Sequence, residues 1–208
     1  MNACPACGYA PEGVAVAAPA EELWKKRLRD LFGVHLMNSW WLSQPKWIME
    51  ELLRRGISIT SLLDAGCGDG RWLPGIKEVY PNCRYVGIDR MQEHVEINLE
   101  RQPEGAWVHA DFLTWDGRQG EFDFILFGGV FNPAMEAAKQ ADILARAVAL
   151  EPRWIGCLFD SMSTGTHPGA ALATMFKRRY VETLVLKIPV EEQGPRQDCI
   201  FTLHERQK

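Results

Sequence analysis

The stretch LLDAGCGDGRWLPG, residues 62–75, joins an apolar run to a predicted helix through glycines at positions 66, 68 and 70. Glycine has no Cβ, so the backbone can approach a ligand closely and can adopt conformations that other residues avoid. The helix that follows would offer unpaired N–H groups and partial positive charge to an anionic group. The stretch therefore predicts a strand–turn–helix unit with a nucleotide-like ligand over its turn.

On both sides of this turn, short apolar runs alternate with segments of helical length. The predicted strands are residues 61–66, 84–89, 106–111, 122–128 and 153–160, and the predicted helices lie at about 70–80, 91–101 and 134–149. Such alternation is typical of a parallel sheet covered on both faces. Residues 181–190 and 197–205 flank the turn-rich EEQGPR and predict an antiparallel hairpin. We expect an α/β fold: a doubly wound, mostly parallel seven-stranded sheet, with that C-terminal hairpin at its edge.

The composition indicates a single domain with appendages. The chain has 208 residues and a formal net charge of −4, which argues against a broad nucleic-acid surface. No apolar stretch approaches the length of a membrane span, and the first twenty residues lack a basic region followed by an apolar one, so neither a membrane span nor a secretory leader is expected. We expect a cytoplasmic protein with no membrane partner. Residues 1–20 are interpreted as a flexible tail and residues 21–208 as one domain, with an N-terminal helical lid over 21–56 and the core over 57–208. Helices are predicted from Leu23 to Phe32 and from about Pro45 to Arg55, the second ending at Gly56.

The glycine spacing helps to choose between two nucleotide cofactors. It is G-x-G-x-G, and the dinucleotide fingerprint would need glycine where Arg71 stands. DAGCGDG, from Asp64 to Gly70, instead resembles the first motif of class I S-adenosylmethionine-dependent methyltransferases, which in that family cradles the methionine part of the cofactor. At the end of the next predicted strand, Asp89 could accept hydrogen bonds from both ribose hydroxyls.

The same resemblance covers roughly Leu62 to Leu203 and implies further cofactor contacts. Arg90 and Met91 would lie against the adenine, and Asp111 and Phe112 would meet its edge. The segment FDFILFGGVFN is similar to the fourth strand of the family, whose end lies beside the methyl group and the acceptor; LFGGVFN also resembles a group of uncharacterised bacterial members. The predicted cofactor site comprises Asp64, Gly66, Cys67, Gly68, Gly70, Asp89, Arg90, Met91, Asp111, Phe112 and Gly128.

Methyl transfer from a sulfonium is an in-line displacement that depends mainly on positioning, so the sequence locates the cofactor better than a base. Trp40, Trp41, Gln44 and Asn132 are the candidate residues of the substrate pocket, and Gln44 could reach the carboxylate of the cofactor. The candidate proton acceptors are Asp160, at the end of the fifth predicted strand, and His167, in a loop expected to overhang the same cleft; a histidine titrates close to neutral pH and could deprotonate a hydroxyl or an ammonium. The expected acceptor is a small molecule with an O or N nucleophile.

Three alternatives stay open. Cys4 and Cys7 have the spacing of half a zinc site without a second pair, which fits a disordered remnant, a site shared between two chains of a homodimer, or a site completed by distant residues. The chain could also bind S-adenosylmethionine without catalysis and act as an interaction protein. An NAD(P)-dependent oxidoreductase would have the same fold class and the same ribose acid.

Overall fold

A computed structural model of the protein describes residues 39–131, 135–160, 179–188 and 199–207. The chain divides into two compact units, Met1–Leu42 and Ser43–Lys208, and the fold below is that of the second. The helix predicted at residues 23–32 lies outside the described residues. Among the helices that are described, none is long and apolar enough to cross a membrane.

The described elements follow the alternating order that the sequence predicts. Helices are α1 (Ser39–Arg54), α2 (Trp72–Val79), α3 (Gln92–Arg101) and α4 (Ala137–Ala149). Strands are β1 (Ser61–Ala65), β2 (Arg84–Asp89), β3 (Ala106–His109), β4 (Phe124–Gly128), β5 (Trp154–Asp160), β6 (Tyr180–Ile188) and β7 (Cys199–Arg206). They form one seven-stranded sheet in the order β3-β2-β1-β4-β5-β7-β6.

Strand direction confirms the predicted fold class. The first five strands pair in parallel, whereas β7 is antiparallel to both β5 and β6, so the C-terminal hairpin occupies one edge. The strand order reverses between β1 and β4, because the chain moves outward to β3 and then returns to the other side of β1. Ligands of open parallel sheets bind at such a point, beyond the carboxyl ends of the strands.

The two faces of the sheet pack against different helices. On one face, Leu63, Ile88, Ile125 and Phe127 form a fully buried core with the apolar side of α4. Asp64, Gly87, Trp107 and Leu126 lie on the opposite face, because they are partners across neighbouring strands. On that face α2 brings Trp72 against Gly128, and the Trp107 indole donates to the Gln102 carbonyl, just after α3.

Helix α1 starts earlier than the sequence predicts. The predicted start is at about Pro45, but the helix begins at Ser39 and contains Pro45 in its interior. The predicted end is confirmed: Gly56 has φ +75°, and the N–H groups of Gly56 and Ile57 donate to Leu53 and Leu52 in a Schellman motif. A Cβ on Gly75 of α2 would lie 2.6 Å from the Lys46 backbone nitrogen, so the two helices meet closely there.

Candidate cofactor site

The glycine turn lies at the carboxyl end of β1. Gly66, Gly68 and Gly70 have φ values of +81°, +52° and +70°, a region that residues with a side chain rarely adopt. The backbone N–H groups of Gly66 and Cys67 both donate to the carbonyl of Ile88, which fixes the turn to the end of β2. The sequence therefore needs glycine here for backbone conformation as well as for close approach of a ligand.

Asp89 connects this turn to the end of β2. Its Oδ2 accepts from the Gly68 N–H at 2.9 Å, and its Oδ1 accepts from the Met91 N–H at 2.8 Å. His94 of α3 also approaches, with Nδ1 3.3 Å from Oδ2. Burial acts to raise the pKa of Asp89, but His94 and the two backbone donors outweigh it and hold the pKa below its usual value. The carboxylate is thus ionised at neutral pH and fixed at the edge of the turn.

Asp64 is a second carboxyl group beneath the turn and is fully buried in β1. The Tyr85 hydroxyl donates to its Oδ2 at 2.8 Å, whereas its Oδ1 has no hydrogen-bond partner among the described residues. Burial raises the pKa of Asp64 to about 7, and the bond from Tyr85 and the nearby Arg71 guanidinium only partly oppose this. An unpartnered buried acceptor of this kind is costly by itself and would be satisfied by a cationic ligand group.

Helix α3 packs against the glycine turn. The Asn98 amide donates to the Gly68 carbonyl at 2.8 Å, and a Cβ on Gly70 would lie within 3 Å of the side chains of Asn98, Gln102 and Trp107. Burial raises the pKa of the Cys67 thiol, so this residue of the turn is neutral. Asn98, His94 and Tyr85 were not predicted as site residues. The only signal was a polar residue, Asn98, on the buried side of α3.

The ends of β3 and β4 complete the carboxyl edge of the sheet. His109 Nε2 donates to the Arg90 carbonyl at 3.1 Å, and the Ala110 N–H donates to the Asp89 carbonyl, so the ends of β2 and β3 are tied together. Asp111 is exposed, and its Oδ1 accepts from the Leu113 N–H, as in a capped turn. After β4, Gly129 has φ +111°, and Val130 lies against the place that a Gly66 Cβ would occupy.

The predicted adenine contacts differ in exposure. Met91 is 42% exposed at the end of β2. Phe112 is buried and makes an edge contact with Phe127 in the core of the α4 face. Met91 is therefore accessible to a ligand at this edge, whereas the Phe112 ring is enclosed in the core.

Of the remaining predicted site residues, Gln44 of α1 has a described side chain. It is buried, and its amide nitrogen has no hydrogen-bond partner among the described residues. Trp40, Trp41 and Asp160 belong to described elements, but their side chains are not among those described. Asn132, His167, Cys4 and Cys7 lie outside the described residues. Over the residues that the structure covers, no cluster of three or more His, Cys, Asp and Glu could hold a metal ion.

A depression of about 950 Å³ lies at the opposite, amino-terminal edge of the sheet, near the start of β5. Its arginines are paired: Arg206 and Arg179 with Glu151, and Arg153 with Glu205. Ligands of open parallel sheets bind at the other edge, so the depression is not part of the candidate cofactor site.

Comparison with known proteins agrees with the fold. Residues 62–150 match the family model described as a methyltransferase domain. Two curated relatives are the type II methyltransferase M.CvrRI of Paramecium bursaria Chlorella virus XZ-6E, 31% identical over 67 residues, and trans-aconitate 2-methyltransferase of Paracidovorax citrulli, 32% identical over 79 residues. These matches cover 32% and 38% of the chain, but only 17% and 30% of the relatives.

A solved structure extends the likeness over most of the chain. The N-methyltransferase NodS from Bradyrhizobium japonicum WM9, in complex with S-adenosyl-L-homocysteine, superposes with a TM-score of 0.66 at 14% sequence identity. The match covers 90% of this chain and 98% of NodS. The fold is therefore that of the class I, Rossmann-like methyltransferases. Residues 62–150 are the part of this chain that is similar to a methyltransferase domain.

Proposed function

We propose that the protein transfers the methyl group of S-adenosylmethionine to an O or N atom of a small-molecule acceptor. The observation that carries the proposal is the pairing of Asp89 with the glycine turn: one ionised carboxylate at the end of β2 binds the Gly68 N–H at the carboxyl end of β1. An acid beside a glycine turn at the switch point of a parallel sheet is the arrangement that binds a nucleoside.

The residues present fit this cofactor. Each Asp89 oxygen accepts one backbone bond and has further lone-pair capacity for the two ribose hydroxyls. The Asp64 Oδ1 atom, buried without a partner beneath the turn, suits the ammonium of the methionine part. The exposed Met91 suits one face of the adenine. Asp111 and Phe112 follow the end of β3, Gly128 ends β4, and all three would border the ligand at the carboxyl edge of the sheet.

When bound, S-adenosylmethionine supplies a methyl group that is already activated by a positive sulfur. The task of the chain is then to hold the acceptor in line and to remove a proton from it. Asp160, at the end of β5, and His167 are the proposed proton acceptors, and a histidine titrates close enough to neutral pH to deprotonate a hydroxyl or an ammonium. A small-molecule acceptor agrees with the acidic net charge and with the name of the trans-aconitate 2-methyltransferase relative.

Ligand binding tests the cofactor assignment. Titration calorimetry with S-adenosylhomocysteine should give saturable binding, and S-adenosylmethionine should raise the melting temperature more than NAD or NADP does. Stabilisation by NAD or NADP, without binding of either sulfur compound, would instead support the oxidoreductase alternative.

Turnover separates an enzyme from a protein that only binds the cofactor. Release of S-adenosylhomocysteine would be measured with a panel of small carboxylates, phenols and amines as acceptors. With the best acceptor, His167→Ala should lower kcat by about a hundredfold or more and leave the Kd for S-adenosylhomocysteine unchanged. Normal kcat in this variant would remove His167 from the mechanism. Binding without release on any acceptor would favour the non-catalytic alternative.

A further inference from the structure

The depression at the amino-terminal edge of the sheet has room for a small molecule. Its volume of about 950 Å³ lies within the range of pockets that hold such ligands. Three arginines line it, Arg153, Arg179 and Arg206, together with Val148 and Tyr180. Strand β5 has 7 residues, so this edge is roughly 20 Å from the edge that carries the glycine turn. A ligand in the depression therefore does not touch the candidate cofactor site.

Hydrogen bonds between strands fix the backbone of the three arginines. The Arg206 N–H donates to the Arg153 carbonyl at 2.9 Å, and the Gln207 N–H donates to the Arg179 carbonyl at 2.7 Å. Arg153 is engaged by Glu205, whose carboxylate accepts from its guanidinium at 3.2 Å. Arg179 and Arg206 are therefore the two arginines whose contacts decide what the depression can bind.

Glu151 links these two arginines from an unfavourable backbone position. It is the second residue after α4 and has φ +51°; among the described residues it alone, apart from glycines, has a positive φ. Helices commonly end with glycine or asparagine in this conformation, and the carboxyl end of a helix also disfavours an anion. The carboxylate of Glu151 lies 3.2 Å from Arg206 Nη1 and 3.9 Å from Arg179 Nη1. An anion between the two arginines thus explains a glutamate at this position.

Both guanidinium groups keep most of their donors for a ligand. Arg206 donates one hydrogen bond to Glu151, and Arg179, which is 63% exposed, approaches the same carboxylate at a distance too long for a hydrogen bond. Each guanidinium has five N–H donors. Exposed ion pairs of this kind contribute little to stability, so another anion can replace the Glu151 carboxylate at low cost.

The chemistry of the arginines favours phosphate as that anion. A phosphate monoester carries about 1.5–2 negative charges at pH 7 and three terminal oxygens, which two arginine side chains can share. The charged side chains that line the depression are three arginines and two glutamates, which leaves one positive charge in a chain whose formal net charge is −4. The depression is therefore a locally positive place on an acidic protein.

We propose that the depression is a second ligand site, in which Arg179 and Arg206 bind the phosphate group of a small phosphorylated molecule in place of the Glu151 carboxylate. Val148 and Tyr180 offer apolar surface to the rest of that molecule. The site does not depend on methyl transfer, so its test is separate from the test of the proposed function.

Phosphorus NMR with glycerol 3-phosphate as the probe tests the site, at an ionic strength kept constant with potassium chloride. The wild type should show saturable binding. Arg179→Gln and Arg206→Gln should each raise the Kd about tenfold or more, because a charge-assisted contact is lost. Arg54→Gln is the control and should leave the Kd unchanged, since Arg54 on α1 is also 63% exposed and is also paired with a glutamate.

Glu151→Gln tests the exchange of anions. It should lower the Kd about threefold or more, because it removes the competing charge and keeps an oxygen that can accept from Arg206. Equal or weaker binding in this variant would overturn the exchange. The site itself is overturned if the wild type does not saturate, or if Arg54→Gln weakens binding as much as Arg179→Gln. It is also overturned if a short RNA without a terminal phosphate binds and glycerol 3-phosphate does not, because the surface would then recognise nucleic acid.

Discussion

Asp89 shows how much a single side chain can organise at this edge of the sheet. One oxygen holds the glycine turn through Gly68, and the other holds the start of α3 through Met91. His94 stabilises the ionised form from the side of α3. The acid is therefore fixed in place before a ligand arrives, which lowers the entropy cost of binding.

Replacing this carboxylate by its isosteric amide tests its role. Asp89→Asn should weaken binding of S-adenosylhomocysteine by about 1.5–3 kcal/mol, because charge-assisted bonds to the ribose become neutral ones and the amide nitrogen cannot accept from the Gly68 or Met91 N–H that it faces. Titration calorimetry measures the change, and Asp142→Asn, an exposed change on α4, is the control. Equal affinity of wild type and Asp89→Asn would remove the ribose assignment.

At the level of single residues, the sequence predicts what a backbone motif needs and misses the side chains that support it. The glycines at 66, 68 and 70 were predicted from their spacing, and their positive φ values explain them. Asp64 was predicted as a site residue, but its bond to Tyr85 depends on the register of β1 with β2. Asn98 reaches the turn only because α3 packs under it, which no local pattern shows.

Among the elements, the glycine turn depends most on close packing. Gly70 and Gly120 have nearly equal positive φ values of +70° and +69°. Around Gly70 a Cβ would meet three side chains within 3 Å, whereas around Gly120 it would meet nothing within 4 Å. The two positions thus separate backbone strain from steric conflict.

Alanine at each position measures the two contributions. Gly120→Ala should lower the free energy of unfolding by about 1–2 kcal/mol through strain alone. Gly70→Ala should lower it further, because Trp107, Asn98 and Gln102 have to move, and it should also weaken cofactor binding. Urea unfolding measures the free energy of unfolding, and calorimetry measures the affinity for S-adenosylhomocysteine. An equal loss of unfolding free energy in the two variants would show that the side chains around Gly70 can move at little cost.

Element boundaries were predictable where apolar runs define strands. Strand β2 matches its predicted residues, and β1, β4 and β5 differ by one or two residues at their ends. β3 is shorter than predicted because the chain turns after His109. The predicted start of α1 was wrong, because the helix begins at Ser39 and contains Pro45 in its interior.

Over the whole molecule, two buried titratable groups, Asp64 and His204, make the free energy of unfolding change with pH in opposite directions. Burial raises the pKa of Asp64 to about 7 from 3.8, and burial lowers the pKa of His204, in β7, to about 4 from 6.5. Between pH 4 and 7 the folded protein keeps a proton on Asp64 that the unfolded chain releases. Between pH 6.5 and 4 the unfolded chain binds a proton on His204, whereas His204 in the folded protein stays neutral.

These shifts predict opposite pH profiles for two variants. Asp64→Asn should gain stability relative to wild type as the pH rises from about 4 to 7, and His204→Gln should gain relative to wild type as the pH falls from about 6.5 to 4. Each difference should reach a few kcal/mol across its window. Urea unfolding at a series of pH values measures it. A difference that stays constant with pH would show that the group titrates normally in the folded state.

The central place of β1 also determines when the ligand site can form. Leu62 pairs with Tyr85 on one side and, much later in the chain, with Phe124 on the other. Pairing between distant segments is slow, because a long loop loses more entropy on closing. During refolding, binding of the nucleoside cofactor should therefore recover later than the circular dichroism signal of the helices. A chain still on the ribosome should not bind the cofactor until β4 has emerged.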